Sequence, residues 1–592
     1  MTVETILHRL HRIGKEQPNA PAYHEKRNGT WEVSSWSKYL SEVRQAARAL
    51  IALGVEPGGA VTILGFNRPE WAIFDLAAML AGGVAAGIYT TNSPTEVKYI
   101  VEHAEASVIL LEDEGQLAKI REVRDDLACL KHIVMMKGNP AYPDALSWDD
   151  FMAEGNKTPE TLIGQRLNEL KMEQLATLIY TSGTTGPPKG VMLNHLNLAW
   201  TAETAQSLLD LNVSDSVLSY LPLSHIAEQM FTLHAAVTAG YQVYYAESGL
   251  KVLDNLKEVR PTVLFGVPRV WERFYNGVTA KLQEATGAKA KIATWALGVG
   301  RAHLAVLNRG QQPGTWLKIQ HGIANKLFFG KVKAALGVDR VRHGVSGAAP
   351  IAKEILEFFS GLDLPIYEVY GQSEDSGPTT VNRPGATKYG SVGQAWPGVQ
   401  VRLAEDGEIQ VKGNNVFMGY YRNPESTAET LTADGWLLSG DLGQFDSEGY
   451  LTIVGRKKEI IITSGGKNIA PKNIEAALKN LTLVGDAVVI GDNRRFIAAL
   501  ISLEPEAAEK FAAEHNLSRE NLHQNPQVVA AVQKGIDSEV NSLFAKVEQV
   551  RAFRILDRPL SVEHGELTPT LKVKRKVVNQ HFAEIIEEMY KE

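Results

Sequence analysis

The segment YTSGTTGPPKG, Tyr180 to Gly190, concentrates glycines, hydroxyls and one ammonium in a single loop. Gly183 and Gly186 free the backbone to aim amides at an anion, Ser182, Thr184 and Thr185 add hydroxyl donors, and Lys189 supplies a point charge. That is the equipment of a polyphosphate cradle. Pro187 and Pro188 remove two amides, so the cradle must lie upstream of them. The spacing departs from GxxxxGK[ST], because Lys189 follows Gly186 by three and is itself followed by Gly190 and Val191. This argues against a P-loop motor or GTPase. On composition alone, a plain Gly/Thr turn is the alternative.

Other chemistries find less support. HExxH, paired CxxC and GxSxG are absent, which leaves zinc hydrolysis and serine esterase catalysis without a motif. His8 and His11 share a metal-like helical spacing but have no third ligand nearby. The single cysteine, Cys129, excludes an intrachain disulfide framework, is expected to be inert and fits a reducing, cytoplasmic setting. A net charge of -7 opposes any whole-chain affinity for nucleic acid or anionic lipid, so an anion site must be local.

These residues need a scaffold, and 592 residues with 44% hydrophobic content supply three or four units of domain size. From Gly59 to about Tyr370, short β-rich runs such as AVTILGF, SVILLED and TVLFGVP alternate with segments of helical period. The alternation predicts an α/β body with mainly parallel strands. Between about 389 and 450 short strands separated by Gly, Asp and Asn turns predict a small β subdomain, with a hairpin at the DG of VQVRLAEDGEIQVKGN. After Arg456 a glycine loop, amphipathic helices and a second hairpin predict a separate α+β domain. The amphipathic start MTVETILHRLHRIGK lacks a signal-peptide core, and LAAMLAGGVAAGIY, at about 14 residues, is shorter than the ~20 of a membrane span.

Between Asn276 and His343 eleven Lys or Arg face two acids, Glu284 and Asp339, a local charge of +9. Solvated helix faces, peripheral contact with an anionic membrane and phosphate contacts to a large cofactor all remain open readings.

The motif YTSGTTGPPKGVMLNH resembles the signature of the AMP-forming, or adenylate-forming, ligase superfamily. Further motifs follow in the family's order: LPLSHIAE (221–228), SGAAP (346–350), YGQSE (370–374), SGD (439–441), GRKKEIIITSGGKNIAP (455–471) and TPTLKVKR (568–575). Within it, FNRPEW, AGIYTTNSP and TVLFGVPRVWERF are most similar to long-chain and bubblegum-type fatty acyl-CoA synthetases. The resemblance implies an N-terminal body over 1–455 with two α/β subdomains and the small β subdomain, a hinge at 456–459 and a mobile C-terminal domain at 460–592. It implies ATP-dependent formation of an acyl adenylate from a medium- to long-chain fatty acid, then transfer to CoA, with Mg²⁺ as the metal and no nucleic-acid partner.

It also implies roles. Thr181 to Gly186 and Lys189 would hold phosphates, and Thr184 with Glu374 would position Mg²⁺. Gly347, Ala348 and Ala349 would admit the adenine face, with Gly347 also bordering the acyl site, and Tyr370 would stack opposite within Tyr370-Gly371-Gln372-Ser373. Ser373 stands where the family usually has threonine and keeps the hydroxyl. Asp441 and Arg456 would bind the ribose, and His225 would sit between the acyl and thiol channels unless it is a core histidine. Lys572 would carry adenylation, although Leu571 replaces the family glycine, leaving Lys574 and more distantly Lys576 as competitors. Lys458 would be the hinge, and Gly465, Gly466 and Lys467 would flank the CoA arm. A ligase loading a carrier protein and a non-catalytic nucleotide- or lipid-binding protein are the alternatives.

Overall fold

The computed structural model describes residues 4–138, 140, 142, 145–181, 187–568 and 572–591. Its largest sheet runs in the order 145–147, 132–135, 108–111, 60–64, 84–88, 175–181, 189–194, and all neighbours are parallel except the last pair. Strands Ala60–Leu64, Val84–Ile88 and Val108–Leu111 are buried at every position, which explains a sequence apolar throughout except for Thr62: helices cover both faces. The helix Pro69–Leu80 (PEWAIFDLAAML) is likewise buried all round.

A second sheet places strands Val263–Gly266, His343–Ser346 and Ile366–Tyr370 in parallel register and adds two short antiparallel strands, Thr380–Val381 and Gln394–Ala395. A third joins Ser216–Ser219 and Gln242–Tyr245 to the hairpin Pro21–Arg27/Thr30–Ser35. The body is therefore mixed α/β, as the alternation predicts.

The antiparallel sheet Gln400–Leu403, Glu408–Lys412, Leu437–Phe445, Leu451–Arg456 contains the expected hairpin, turning at Gly407 with φ +83°. Beyond it lie a two-stranded ribbon (Ile461–Ile462 with Asn468–Ile469) and a three-stranded sheet (Val484–Ile490, Ile497–Leu503, Val550–Ile555). The latter packs its own core of Ile474, Leu478, Val489, Ile501 and Val532. The last residues, Val578 to Tyr590, pack on the sheet's other face. Arg269 Nη2 meets Asp486 Oδ1 at 2.7 Å, tying this part to the helix Pro268–Gln283 of the body. No helix among the described residues is long and apolar enough to cross a membrane.

Asp75, inside the buried helix, has no hydrogen-bond partner on either carboxylate oxygen among the described residues, and burial pushes its carboxyl up to about 7. The unfolded chain ionises this group near pH 4, so the native state loses stability as pH rises from there through about 7, by about 4 kcal/mol in total. An Asp75→Asn variant should therefore gain thermal midpoint over the parent at pH 8 relative to pH 5. An offset between the two proteins that stays constant with pH would contradict this reading.

Candidate active site

The carboxyl ends of several parallel strands carry the chemistry-bearing loops, where open α/β sheets present their ligand sites. Strand His343–Ser346 runs directly into Gly347-Ala348-Ala349. A Cβ on Gly347 would stand 2.7 Å from Val369 Cγ1 and 3.0 Å from its carbonyl oxygen, so only glycine lets this loop lie against the neighbouring strand. Ala348 adopts φ +68°, a left-handed conformation costly for a residue with a Cβ, and Ala348 and Ala349 are exposed.

The adjacent strand ends at Tyr370 and turns through Gly371-Gln372-Ser373-Glu374. A Cβ on Gly371 would lie 1.8 Å from the Gly377 carbonyl oxygen, which excludes any other residue from the turn. Asp375, fully buried, accepts from the Gln372 amide at 2.8 Å and from the Thr379 hydroxyl, and burial raises its carboxyl to about 7. Ser373 is buried beside it.

Three side chains from distant segments then meet. Tyr370 Oη donates to Asp441 Oδ2 at 2.9 Å, and Arg456 Nε donates to Asp441 Oδ1 at 3.1 Å. Asp441 and Arg456 are direct cross-strand partners, so the sheet register itself sets the pair. Glu374 Oε1 accepts from Tyr420 Oη at 2.7 Å, and Lys189 Nζ lies 4.8 Å from the centre of the Tyr420 ring. Lys189 stands opposite Thr181 in the antiparallel register. Tyr420 thus joins the phosphate-loop exit to the Glu374 turn. Sequence reading missed it, as it missed Asp375, because no local pattern marks a tyrosine whose partners lie on other strands.

His225 precedes the helix Ile226–Gln229, and its Nδ1 accepts from the Ala227 amide at 3.2 Å. Nδ1 is therefore unprotonated and the hydrogen sits on Nε2. Burial, and secondarily the nearby Lys572 ammonium, lower this imidazole to about 4, so it is neutral at physiological pH. Its loop is pinned by a buried network: Glu228 accepts from Ser219 (2.8 Å), Thr232 (2.9 Å) and the Tyr220 amide (3.1 Å), while Asn67 donates to the Leu221 carbonyl (2.7 Å). The helix continues through a π-helical turn at Met230–His234, where Phe231 stacks on Phe265 at 5.3 Å. Phe265 also underlies Gly347.

Lys572 comes from the opposite module. It sits on a small antiparallel turn in which its amide donates to Thr568 Oγ1 (3.0 Å) and its carbonyl accepts from the Thr568 amide (2.7 Å). The turn is held by Glu566, which binds Arg558 at 2.6 Å and His581 at 3.1 Å. Lys572 is exposed as a residue, while its ammonium end stands among charged groups of both modules. Loss of water, then the fields of Arg456 and Lys472, lower its pKa to about 8 against the pull of Asp441 and Glu374. Lys574, the competing candidate, instead forms the N-cap of the helix Arg575–His581.

Lys458 is exposed in the short turn Lys457–Glu459. Lys457 is bound to Asp406 (2.6 Å) and Glu408 (2.9 Å), and Glu459 to Lys472 (3.1 Å), so Lys458 lies between an anchor on each module. Gly465, Gly466 and Lys467 form an exposed tip closed by Gly466 N to Thr463 O (2.8 Å) and Thr463 N to Lys467 O (3.0 Å). Among the described residues this tip makes no hydrogen bond to the Asp441 cluster. Ser182, Gly183, Thr184, Thr185 and Gly186 lie outside the described residues.

With this geometry in place, the likeness to known proteins has a physical meaning. Residues 10–421 match the family model described as AMP-binding enzyme, and 458–592 match the AMP-binding enzyme C-terminal domain. The chain is 38% identical to the long-chain-fatty-acid–CoA ligase ACSBG2 of Xenopus laevis, over 98% of this chain and 84% of that protein. It is 37% identical to the long-chain-fatty-acid–CoA ligase FadD15 of Mycobacterium bovis, over 97% and 95%. The fold is that of the anthranilate CoA ligase AuaEII solved with anthranoyl-AMP (TM-score 0.74, 20% identity, covering 99% of this chain and 98% of that one). The chain belongs to the AMP-binding enzyme family.

Replacing Asp441 by Asn keeps the shape but leaves Arg456 without its carboxylate. AMP affinity, read by calorimetry, should fall about tenfold or more, since a charge-assisted hydrogen bond contributes about 1.5–3 kcal/mol. Unchanged affinity would remove Asp441 from the nucleotide site.

Proposed function

We propose that the protein activates a medium- to long-chain fatty acid with ATP, releasing pyrophosphate, and passes the acyl group from acyl-AMP to CoA. A carboxylate resists nucleophiles until its oxygen becomes part of a leaving group, and attack on the α-phosphorus supplies one. That attack brings two anions together. The observation that carries the reading is the delivery of the Lys572 ammonium, across the module boundary, into the cluster of Arg456, Asp441 and Glu374. There it can bridge the carboxylate and the α-phosphate as charge shifts between them.

Asp441 accepts from the ribose hydroxyls and Arg456 orients it. Gly347, Ala348 and Ala349 take one face of the adenine, Tyr370 the other, and Ser373 reaches the α-phosphate. Thr181 to Gly186 with Lys189 hold the departing phosphates. Glu374 presents a hard oxygen donor on a turn fixed by Asp375, which fits Mg²⁺ in company with Thr184. Bound there, the ion would neutralise phosphate charge. His225, neutral at physiological pH, would separate the acyl and thiol paths without adding charge. CoA is preferred over a carrier protein because the similar proteins are named CoA ligases.

The second half-reaction needs Lys572 withdrawn and Gly465, Gly466 and Lys467 brought in, with Lys458 as the pivot between its two anchored neighbours. Lys572→Ala should lower fatty-acid-dependent pyrophosphate release by roughly 10²–10³ while leaving CoA attack on supplied acyl adenylate nearly intact. Lys458→Pro, with its dihedral fixed, should show the reverse pattern. Loss of both half-reactions in both variants would overturn the division of labour, and CoA-independent turnover would favour carrier loading.

We further infer peripheral contact with anionic membrane through the basic segment 276–343. It forms the helices Pro268–Gln283, Gly287–Leu307 and Thr315–Ala324, on which Trp295, Trp316 (69% exposed), Ile319 and Ile323 stand in solvent among Lys289, Lys291, Lys318 and Lys326. Apolar knobs among ammonium groups suit a headgroup boundary, at about 1 kcal/mol per basic residue. Substituting Ala for Trp295 and Trp316 together with neutralising these lysines should abolish sedimentation with anionic vesicles. Undiminished sedimentation would refute the contact.

A further inference from the structure

The short segment Phe417 to Tyr421 lies outside the sheets, yet hydrogen bonds fix it on two sides. The Phe417 amide donates to the Glu374 carbonyl (2.9 Å), the Met418 amide to the Met192 carbonyl (3.0 Å), and the Tyr421 amide to the Gly190 carbonyl (2.8 Å), while the Gly419 carbonyl accepts from the Met192 amide (3.0 Å). The segment therefore sutures the Glu374 turn to the strand Lys189–Asn194 that leaves the phosphate loop. Tyr420 is pinned within it. Its amide donates to Thr427 Oγ1 at 2.9 Å, and its buried ring meets Phe417 edge-on with centroids 5.0 Å apart.

This one side chain carries two opposite charges without letting them meet. Its hydroxyl donates to Glu374 Oε1 at 2.7 Å, and Lys189 Nζ lies 4.8 Å from its ring centre. Lys189 and Glu374 nevertheless form no ion pair with each other, and among the described residues no other carboxylate pairs with Lys189. Glu374 Oε2 likewise accepts no hydrogen bond among the described residues. An ammonium resting on a π face is attracted but keeps its charge, whereas one seated on a carboxylate is neutralised. A hydroxyl on one carboxylate oxygen fixes the orientation of the group and leaves the second oxygen to a hard cation. Filling space beside Phe417 would require neither feature.

We propose that Tyr420 is a positioning residue for the polyphosphate half of the site: it holds Lys189 ready for phosphate and Glu374 ready for the accompanying divalent cation, and keeps the two from pairing. The proposal rests on the adenylation reading and adds to it a residue that binds neither reactant. Without the hydroxyl, Glu374 is free to turn toward Lys189. Without the ring as well, nothing separates ammonium from carboxylate, and each cancels the charge that the other half of the task requires. The backbone suture sets where Tyr420 stands, so the spacing of Lys189 and Glu374 follows from the fold and exists before any ligand arrives.

The test is calorimetric binding of AMP, of ATP in EDTA and of ATP with Mg²⁺ to the full-length parent, Tyr420→Phe and Tyr420→Leu. Tyr420→Phe keeps the ring and frees Glu374, so it should bind metal-free ATP within about twofold of the parent and ATP with Mg²⁺ about tenfold more weakly. Tyr420→Leu removes both supports and should lose about fivefold or more in EDTA as well. AMP affinity should stay within about twofold of the parent in both, because AMP carries no outer phosphates for Lys189 and Tyr420 makes no hydrogen bond to Asp441 or Arg456. A merely space-filling side chain would not produce this split. Circular dichroism checks folding, and if Tyr420→Leu does not fold, the ratio of the two ATP affinities in Tyr420→Phe decides alone. Equal losses for all three ligands, or parental affinity of Tyr420→Phe for ATP with Mg²⁺, overturn the proposal and leave the adenylation reading standing. A parent that binds neither AMP nor ATP overturns that reading, and this proposal with it.

Discussion

The structure is organised around a repulsion. A fatty carboxylate and a nucleotide triphosphate must touch, and at 4 Å two unit charges in a partly dry site repel by roughly 4 kcal/mol or more. Fixed positive charge would solve this at the cost of blocking the thiol that arrives next. In the proposed mechanism the cation is instead assembled from two modules. Arg456 stays with the body, locked to Asp441 by sheet register, while Lys572 arrives on a turn whose geometry is maintained by Glu566, Arg558 and His581. Loss of water and, after it, the fields of Arg456 and Lys472 lower the Lys572 pKa, so an anion bound between these cations would be strongly favoured.

The connection between the modules follows from the same need. Lys457 is clamped to Asp406 and Glu408, and Glu459 to Lys472, leaving a single exposed residue between the clamps. In the proposed mechanism, rotation at this one residue moves the C-terminal sheet without disturbing either core. The Arg269–Asp486 pair has an exposed arginine, so it can favour one arrangement without locking it. On the body side, small residues do the positioning: Gly347 and Gly371 allow backbone to lie where a Cβ would collide, and Ala348 accepts a strained dihedral at the rim.

Much of this was legible in the sequence because it is written locally. Mainly apolar runs marked the buried parallel strands, DG marked a hairpin, and the glycine- and hydroxyl-rich loop announced an anion. The sequence left Lys572 and Lys574 as competitors because Leu571 replaces the family glycine and so leaves the register open. Only the fold separates them: the Lys572 ammonium feels Arg456, Asp441 and Glu374, while Lys574 occupies the residue before the helix Arg575–His581. Tyr420 and the Asn67–Glu228 pair were not legible, since each acts through a partner tens to hundreds of residues away, whereas Asp375 bonds only to near neighbours and reads as one more polar residue of a turn. The hairpin Pro21–Ser35 escaped for a related reason. Its strands are largely polar, and it is recruited to a sheet by parallel pairing with Gln242–Tyr245.

The central claim is that Lys572 sits as a desolvated cation beside Arg456, awaiting anionic ligands. Its direct test is the titration of this one ammonium by NMR, using ¹³C-dimethylated lysines and a Lys572→Arg protein to assign the resonance. The account expects a midpoint near 8 in the free protein and a rise once AMP and a fatty acid are bound. A midpoint at the ordinary lysine value of about 10.4 in the free protein, unmoved by ligands, would contradict it.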